Sequence, residues 1–350
     1  MEKRRLGNSD LLVSKLGMGC WPYGGGAYWG EQSQKDVNEV VALALDSGVN
    51  LFDTAEAYND GASESALGEA LRGRRAEAVI VSKVSTSNTH AETLRAHCEA
   101  SLRRLQTDYI DLYLLHWPIN PKAIEHFSSD RSLCENPPTV EEAFHTLSAL
   151  RKEGKIRAIG VSNHGLGQMQ EIAKTGVPVV ANELPYNLIS RAIEGGIAGY
   201  CEQNGIGIIG YMALQQGILT GLYEKISDLS VPQLHSRHFH YSRAGEMARH
   251  GSEGAEPEIE ALLAGMKTLS QQLGVSVAAL SLSWTLQNSA VSATLVGSRT
   301  AEELRMNLAA ADYPMAAEVR AELDRLSQPV LDKLGYSPDY YESLSNSRIY

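Results

Sequence analysis

The sequence predicts an α/β fold, a (β/α)8 TIM barrel in which eight parallel strands alternate with helices and close on themselves. Short apolar runs alternate with longer segments of helical period from residue 16 to residue 310. Several runs are apolar at successive positions, which is typical of parallel strands covered on both faces. The alternative, a doubly wound open sheet, requires a G-x-G-x-x-G turn after its first strand. Gly17 and Gly19 are present, but Pro22 occupies the third glycine position.

The candidate strands and the segments between them follow this alternation in order. Eight strands are predicted at residues 16–21, 50–55, 78–84, 111–117, 156–163, 179–186, 205–214 and 293–299. The first intervening segment places its apolar residues on one helical face; they are Val37, Val40, Val41, Ala44 and Leu45. Gly48 and Gly154 follow two such segments and mark helix ends. Strand and helix repeated eight times indicate a closed barrel.

Several segments interrupt the alternation. Residues 4–15 carry a G-N-S-D turn between β-prone runs and predict a hairpin before the barrel. Residues 118–138, which are Pro-rich and aperiodic, and residues 221–255 predict long loops at the C-terminal face, where barrel active sites lie. We expect one domain over residues 1–350, with a hairpin cap (1–15), a barrel (16–310) and a C-terminal helix and tail (311–350). The end of that tail, 329–350, either covers the barrel mouth or is mobile.

Composition limits the class of partner. The chain has 350 residues and a formal net charge of −11, which argues against a broad grip on nucleic acid or an anionic membrane. No apolar run approaches the roughly 20 residues that span a bilayer, and the charged start lacks the apolar stretch of a secretory signal. We therefore expect a cytoplasmic protein with a small-molecule substrate. A homo-oligomer is compatible with the sequence.

Cysteine and histidine usage indicates neither a metal nor a disulfide framework. The four cysteines, Cys20, Cys98, Cys134 and Cys201, form no C-x-x-C pair, so we expect reduced thiols. Four histidines share one polar segment, namely His235, His238, His240 and His250. Because that segment has no cysteine and few carboxylates, it predicts a flexible surface loop rather than a metal site. A flavin is not implied either.

Four ionisable residues lie at or just beyond the ends of consecutive predicted strands. Asp53 ends NLFD, Tyr58 follows in TAEAY, Lys83 ends VIVSK and His116 ends LYLLH. In a barrel these strand ends converge on one rim. Burying a lysine and an aspartate is costly unless each is paired. The sequence therefore predicts a shared site.

The chemistry of these four groups suits carbonyl reduction. Hydride transfer to a carbonyl builds negative charge on its oxygen, so the site needs an acid and a hydrogen-bond donor. A phenol is a weak acid unless a positive charge stabilises its phenolate. We assign Tyr58 as the acid, Lys83 as the charge that tunes it, Asp53 as the anchor of Lys83, and His116 as a donor to the substrate oxygen.

Several motifs together resemble the aldo-keto reductase superfamily, in the same order over residues 4–310. They include NLFDTAEAYNDGASESALGEAL, VIVSK, DLYLLHWP, GKIRAIGVSN, PYNL, YMALQQGILTG and LVGSRTAEELRMNLAA. The resemblance implies a nicotinamide cofactor and a catalytic tetrad of Asp53, Tyr58, Lys83 and His116. It also implies that Ser162 and Asn163 bind the nicotinamide carboxamide.

The resemblance further assigns a cofactor path along the rim. Tyr211 matches the aromatic residue on which the nicotinamide stacks, and Leu214, Gln216 and Gly217 match the loop around the pyrophosphate. The segment that holds the adenosine end comprises Gly297, Ser298, Arg299, Glu303 and Asn307. The remaining cofactor contacts implied are Gly19, Cys20, Trp21, Asp53, Glu183, Met212 and Ala213.

Departures from the family pattern bear on the choice of cofactor. Glu183 replaces a common Gln, and a carboxylate cannot donate a hydrogen bond unless it is protonated. Cys20 replaces a common Thr. Gly297 and Glu303 remove groups that could bind a ribose phosphate, whereas Arg299 can compensate by a bidentate contact. We expect NADP(H), with NAD(H) as the alternative.

The substrate is expected to meet an aromatic mouth. Loops after strands one, four and six bring aromatic rings to the rim, and such rings suit the C–H faces of sugars or hydrophobic aldehydes. The predicted substrate contacts are Trp21, Tyr23, Trp29, Tyr58, His116 and Trp117, with Tyr186 as a further lining residue. The leading hypothesis is an NADP(H)-dependent carbonyl reductase acting on a sugar-derived carbonyl. The alternatives are an NAD-dependent aldose dehydrogenase and a cofactor-sensing regulatory subunit with little turnover.

Overall fold

The computed structural model describes residues 1–350 and contains ten strands and thirteen α-helices. The strands are β1 (Lys3–Arg5), β2 (Leu12–Ser14), β3 (Leu16–Gly19), β4 (Leu51–Asp53), β5 (Val79–Val84), β6 (Ile110–Leu115), β7 (Ile156–Ser162), β8 (Ala181–Pro185), β9 (Gly207–Tyr211) and β10 (Val291–Val296). The helices are α1 (Gln34–Asp46), α2 (Ala62–Ala70), α3 (Ala91–Leu105), α4 (Pro121–Phe127), α5 (Arg131–Glu135), α6 (Val140–Lys152), α7 (Leu166–Ala173), α8 (Ile197–Gln203), α9 (Val231–Leu234), α10 (Glu256–Leu273), α11 (Val277–Leu286), α12 (Ala301–Ala311) and α13 (Ala317–Leu334).

Strands β3 to β10 form a closed parallel barrel in the order β10-β3-β4-β5-β6-β7-β8-β9. Each of them overlaps one of the eight predicted runs, so the predicted (β/α)8 fold is confirmed. A closed barrel excludes the open doubly wound sheet. Because all eight strands are parallel, their carboxyl ends meet at one rim.

Helix α1 shows how the helical segments attach to the barrel. The side chain of Ser33 accepts a hydrogen bond from the amide of Asp36 at 3.1 Å and caps the helix. The five apolar residues predicted for its inner face are all buried. Gly48 ends the segment with a φ of 79°, a conformation that glycine adopts without strain. Helix α12 packs on α1, so the ring of helices closes as the sheet does.

The predicted hairpin is present as β1 and β2, paired antiparallel. Its residues Leu6, Leu11 and Val13 are buried with the inward-facing residues of the barrel strands. Gly7 lies where an added Cβ would stand 2.4 Å from the carbonyl oxygen of Val180, so a side chain cannot fit. The hairpin therefore closes the barrel end opposite the strands' carboxyl rim.

The segment 118–138 differs from its prediction as a loop without regular helix. It contains two short helices, α4 and α5. The side chain of Asn120 accepts a hydrogen bond from the amide of Ala123 at 3.0 Å, and Pro121 occupies the first turn of α4. These local capping signals suffice for one or two turns that apolar periodicity cannot reveal.

The segment 221–255 consists mostly of turns, with the one-turn helix α9, and its histidines contradict the prediction of a flexible surface loop. His238 and His250 are buried. The ring of His238 lies between Ser190 Oγ at 2.8 Å and Ser236 Oγ at 3.0 Å. The polar sequence was misleading because each ring finds hydroxyl or backbone partners inside the fold.

The C-terminal tail packs against α4 and the segment before it. The predicted tail began at residue 329, but helix α13 continues to Leu334. Arg348, which is 1% exposed, pairs with Asp339 at 2.6 Å and lies 3.7 Å above the centre of the Trp117 ring. The tail is thus docked beside the rim. None of the helices has the length and apolar character needed to cross a membrane.

Candidate active site

Lys83 lies at the centre of a buried polar cluster on the barrel rim. Its ammonium donates hydrogen bonds to Asp53 Oδ1 at 2.5 Å, to the Thr54 carbonyl oxygen at 3.1 Å and to the Tyr58 hydroxyl at 3.1 Å. Lys83 has no exposed surface, and Asp53 is 3% exposed. Three of the four residues predicted to share a site are therefore in direct contact.

The loop that carries Tyr58 is held by polar contacts at both ends. Asn59 takes a left-handed conformation with a φ of 51°, and its side-chain amide donates to the carbonyl oxygens of Trp21 and Tyr23 at 2.8 and 3.0 Å. Two residues before Tyr58, Glu56 accepts from the amide of Ser85 at 2.9 Å. These contacts fix the tyrosine against the lysine.

The environment of Tyr58 keeps its hydroxyl protonated. Burial raises the pKa of Tyr58 above its usual range; Lys83 acts to lower it, whereas Asp53 and Glu183 act to raise it. The predicted stabilising effect of Lys83 is present, but it does not outweigh burial and the two carboxyl groups. The group available to a bound ligand is thus a phenol rather than a phenolate.

His116 completes the predicted quartet. It follows β6, and its ring centre lies 5.7 Å from that of Tyr58, edge to face. Burial, followed by the positive charge of Lys83, lowers the pKa of His116 well below its usual range. The imidazole is therefore neutral, and its Nδ1 is buried with no partner in the protein. A neutral ring retains one N–H that can donate to a substrate oxygen.

Glu183, which was predicted only as a cofactor contact, also contacts Lys83 in this cluster. It lies in β8, and its Oε1 is 3.4 Å from Lys83 Nζ. Its other oxygen, Oε2, is buried without a hydrogen-bond partner. The only signal in the sequence was its position near a strand end, where the family pattern has an uncharged amide.

The residues expected to bind the carboxamide lie next to one another. Asn163 donates to the His116 carbonyl oxygen and to Ser162 Oγ, both at 3.1 Å. The Tyr211 hydroxyl donates to Asn163 Oδ1 at 2.7 Å, and Ser162 Oγ donates to the Glu183 carbonyl oxygen at 3.0 Å. Strands β7, β8 and β9 thus present one connected polar surface beside Lys83.

The turn after β9 begins the predicted cofactor path. Met212, Gln216 and Gly217 all have positive φ values, of 59°, 53° and 89°, so the chain curls tightly there. Leu214 is partly exposed, and Ala213 is buried against Leu16 and Val296. The Gln216 side-chain amide donates to the Tyr28 hydroxyl at 3.1 Å.

The predicted adenosine segment follows β10, which is the neighbour of β9 in the barrel. Asn307 donates to the Gly297 carbonyl oxygen at 3.3 Å and to Ser298 Oγ at 3.0 Å. The Arg299 guanidinium donates to the Glu31 carbonyl oxygen at 2.6 Å and to the Gln32 side chain at 3.1 Å.

Two further contacts lie at predicted cofactor residues, one in the adenosine segment and one at the end of β3. The amide of Arg299 donates to Glu303 Oε2 at 2.7 Å. Elsewhere on the rim, Gly19 ends β3, and the amide of Cys20 donates to the Asp53 carbonyl oxygen at 2.8 Å.

Part of the predicted aromatic mouth is present. Trp21 stacks on Tyr28 and on Tyr58, with ring centres 5.1 and 5.8 Å apart, and meets Trp29 edge to face at 5.3 Å. Phe127 of α4 lies 5.6 Å from His116. Neither Tyr28 nor Phe127 was among the predicted substrate residues, because the loops that carry them have no regular pattern.

Other predicted mouth residues belong to the interior. Tyr23 and Tyr186 have no exposed surface, and Tyr186 stacks on Trp284 in the core. Trp117 is 5% exposed, and Arg348 covers its face. Each of these three rings packs against partners that are remote in sequence, and their contact with a substrate stays a prediction.

No group of three or more His, Cys, Asp or Glu side chains is placed to hold a metal ion. The buried donors and acceptors at the rim instead suit an organic ligand that brings its own polar groups. Glu183 Oε2 and His116 Nδ1 are two such buried atoms without partners. Buried polar atoms without partners are costly, so both atoms are available to hydrogen-bond a ligand.

Comparison with known proteins identifies the family. The family model described as the aldo/keto reductase family matches residues 15–328. An NADH-specific methylglyoxal reductase of Escherichia coli is 28% identical, over 93% of this chain and 100% of the relative. A glycerol dehydrogenase structure from Gluconobacter oxydans has a TM-score of 0.75 at 26% identity, covering 95% of this chain and 96% of that one. An aldo/keto reductase from Klebsiella pneumoniae, solved with NADP and acetate, has a TM-score of 0.68 at 28% identity, covering 94% and 96%. The chain belongs to the aldo/keto reductase family.

Proposed function

We propose that this protein is an NADP(H)-dependent oxidoreductase that interconverts a carbonyl compound and its alcohol, with Tyr58 as general acid and base. The observation that carries the proposal is the buried ammonium of Lys83, which contacts both Asp53 and the Tyr58 hydroxyl. Membership of the family already makes the chain an oxidoreductase of carbonyl and alcohol groups. The roles of these residues and the choice of cofactor are the proposed part.

The rim fits a nicotinamide ring. Ser162 and Asn163 at the end of β7 lie next to Glu183 of β8. Their side chains carry hydroxyl, amide and carboxyl groups, which suit a carboxamide because it has both a donor and an acceptor. Tyr211 supplies an aromatic ring next to Asn163 for stacking. A bound nicotinamide would supply or accept the hydride.

The chain's own residues handle the proton. In reduction, Tyr58 donates its hydroxyl proton to the carbonyl oxygen, and Lys83 stabilises the phenolate that remains. Asp53 holds the ammonium in place at 2.5 Å. His116, as a neutral donor, orients the same oxygen. In oxidation the proton returns along the same contact from the alcohol to Tyr58.

The mouth favours small oxygenated substrates. Trp21, Tyr28 and Trp29 provide aromatic faces for C–H groups near Tyr58. Two relatives are named for small oxygenated compounds, methylglyoxal and glycerol. We infer a short sugar-derived or dicarbonyl substrate.

The adenosine end supports NADP(H), with NAD(H) as the second candidate. Arg299 donates through Nη2 to the Glu31 carbonyl oxygen and through Nε to the Gln32 side chain. Its Nη1 donors remain available to a ribose phosphate. Glu303 favours the alternative, because a carboxylate repels phosphate and accepts from ribose hydroxyls. The E. coli relative is specific for NADH by name.

Coenzyme titration and turnover assays together test both the proposed choice of coenzyme and the proposed activity. NADPH and NADH are titrated by quenching of protein fluorescence, and each is then tested with methylglyoxal, glyceraldehyde and a simple aromatic aldehyde. We expect turnover with NADPH, and we expect Arg299→Ala to weaken NADPH at least about tenfold while NADH changes little. Tighter binding of NADH by the wild type would support the second candidate, and no turnover with either coenzyme would overturn the proposed activity.

A further inference from the structure

We propose that Glu183 is held as a neutral carboxylic acid whose hydroxyl donates a hydrogen bond to Asp53, and that its ionisation sets an upper pH limit for the reaction at Tyr58. The inference rests on the proposed function for its consequence, but the protonation of Glu183 is testable without turnover. It assigns Glu183 a positioning role on Lys83 in addition to the contact with a carboxamide.

The three N–H donors of Lys83 are all used by other acceptors, so none is left for Glu183. An ammonium has three N–H donors. In this structure they go to Asp53, to the Thr54 carbonyl oxygen and to the Tyr58 hydroxyl, at 2.5, 3.1 and 3.1 Å. Glu183 Oε1, at 3.4 Å, is the fourth and most distant acceptor. An ionised Glu183 would have to take one of the three donors from its present partner.

The charges of the cluster lead to the same conclusion. One ammonium faces two carboxyl groups, and all three side chains are almost completely buried. Burial and then Asp53 raise the pKa of Glu183 well above its usual range. Burial acts to lower the pKa of Lys83 and the carboxylate of Asp53 acts to raise it; the pKa of Lys83 lies above its usual range, so the ammonium stays charged. A proton on one carboxyl group leaves the cluster without net charge, which a buried site favours.

The proton belongs on Glu183 rather than on Asp53. Asp53 is the closer partner of Lys83 and makes the shorter contact, so its carboxylate gains more from the positive charge. Both carboxyl groups lie beside the same ammonium, with Asp53 Oδ1 at 2.5 Å and Glu183 Oε1 at 3.4 Å from Lys83 Nζ. A hydrogen bond between them acts to lower the pKa of Asp53 and to raise that of Glu183. The Glu183 hydroxyl therefore donates to Asp53, and its other oxygen stays free to accept from a carboxamide.

Other titratable groups complete the surroundings. Tyr58 and Tyr211 face Glu183 from the loop after β4 and from β9. Cys20 lies beyond Asp53, and His116 lies beyond Lys83. Burial keeps the thiol, both phenols and the imidazole uncharged, since it raises the pKa of the first three and lowers that of His116. None of them supplies a second positive charge to an ionised Glu183.

Ionisation of Glu183 would act on Tyr58 through Lys83. A second carboxylate competes for the ammonium, and the Tyr58 hydroxyl, at 3.1 Å, is one of the two partners that Lys83 holds less closely than Asp53. The same negative charge opposes formation of the phenolate that reduction leaves behind and that oxidation requires. The rate should therefore fall as Glu183 loses its proton.

Infrared difference spectroscopy tests the protonation state directly on the cofactor-free protein. Wild type minus Glu183→Gln at about pH 7 should show the C=O stretch of a neutral carboxylic acid, and that band should vanish in the wild type as the pH rises. Glu56→Gln is the matched control, because Glu56 is also buried but its pKa is lowered by His97 despite burial. The control spectrum should lack the acid band. Absence of the band from the Glu183 difference spectrum would overturn the proposal.

The pH profile of reduction tests the consequence. An amide at position 183 can still donate to Asp53 but cannot ionise. We therefore expect the ratio of kcat at about pH 10 to kcat at about pH 7 to be at least about threefold higher in Glu183→Gln than in the wild type. Glu183→Met, which is also uncharged, serves if the amide variant does not fold. An unchanged profile shape in a folded variant would contradict the inference, whereas loss of turnover in the wild type would count only against the proposed function.

Discussion

Tyr58 retains its proton because burial opposes its ionisation more strongly than Lys83 favours it. At the scale of single residues, the protonation states in the site are set by such opposing effects of burial and neighbouring charges on the pKa. The positions of Asp53, Lys83 and His116 at strand ends were predictable, because a lysine or aspartate directly after an apolar run needs a partner. The contact of Glu183 with Lys83 was not predictable, because it depends on which strand ends face one another across the barrel.

Glu56 and His97 anchor the Tyr58 loop and give a pH-dependent stability. His97 Nδ1 lies 2.7 Å from Glu56 Oε2, and this hydrogen bond raises the pKa of His97 above its usual range despite partial burial. A raised pKa means that the charged imidazole adds stability fully below the unfolded pKa of about 6.5, and that this stability is lost as the pH rises through the folded value. We expect His97→Asn to lower the free energy of unfolding at about pH 6 by up to about 1 kcal/mol, since the pair is partly exposed.

The difference between His97→Asn and the wild type should shrink at about pH 9. Urea denaturation at both pH values measures it. His145→Asn is the control, because His145 is exposed and makes no ion pair. An equal loss at both pH values would show that the histidine acts by packing rather than by charge.

At the scale of elements, strands were more predictable than the segments that follow them. The predicted runs overshoot several strands at their carboxyl ends: residues 20–21, 54–55, 116–117, 212–214 and 297–299 leave the sheet and enter the rim. Apolar character continues there because these residues still pack, but their backbone turns toward the site. Helices α4 and α5 were not predicted because each is only one or two turns long and is marked by a local cap, Asn120 or Asp130, rather than by apolar periodicity.

The contribution of the C-terminal tail to the free energy of unfolding can be tested through one buried ion pair. Arg348 makes two side-chain hydrogen bonds to Asp339, at 2.6 and 3.0 Å, in a buried pair beside Trp117. Removing one member leaves a buried charge without its partner. We expect Arg348→Met to lower the free energy of unfolding by about 3 kcal/mol, measured by urea denaturation with tryptophan fluorescence.

The double variant provides the control for this pair. Arg348→Met with Asp339→Leu removes both charges and should cost less than the sum of the two single changes. Fully additive losses would mean that the two residues do not stabilise the tail as a pair.

At the scale of the whole molecule, barrel closure brings residues 53, 83, 116, 162, 183 and 211 to one rim, although they are dispersed over half of the chain. The alternation of apolar runs predicted that closure, and closure accounts for most of the site. The sequence did not predict which aromatic rings reach the mouth. Tyr23 packs in the core, and Trp117 packs against Arg348 of the tail. A local sequence pattern does not predict contacts between such distant parts of the chain.

The central claim is that Tyr58 transfers the proton, and Tyr58→Phe tests it most directly. The change removes only the hydroxyl that Lys83 contacts. Tyr113→Phe is the control, because Tyr113 is buried in the core and its hydroxyl has no hydrogen-bond partner. We expect Tyr58→Phe to lower kcat for carbonyl reduction by about 10²–10⁴-fold, while NADPH affinity stays within about threefold and Tyr113→Phe retains turnover. Turnover of Tyr58→Phe near the wild-type rate would contradict the assignment of Tyr58 as the acid.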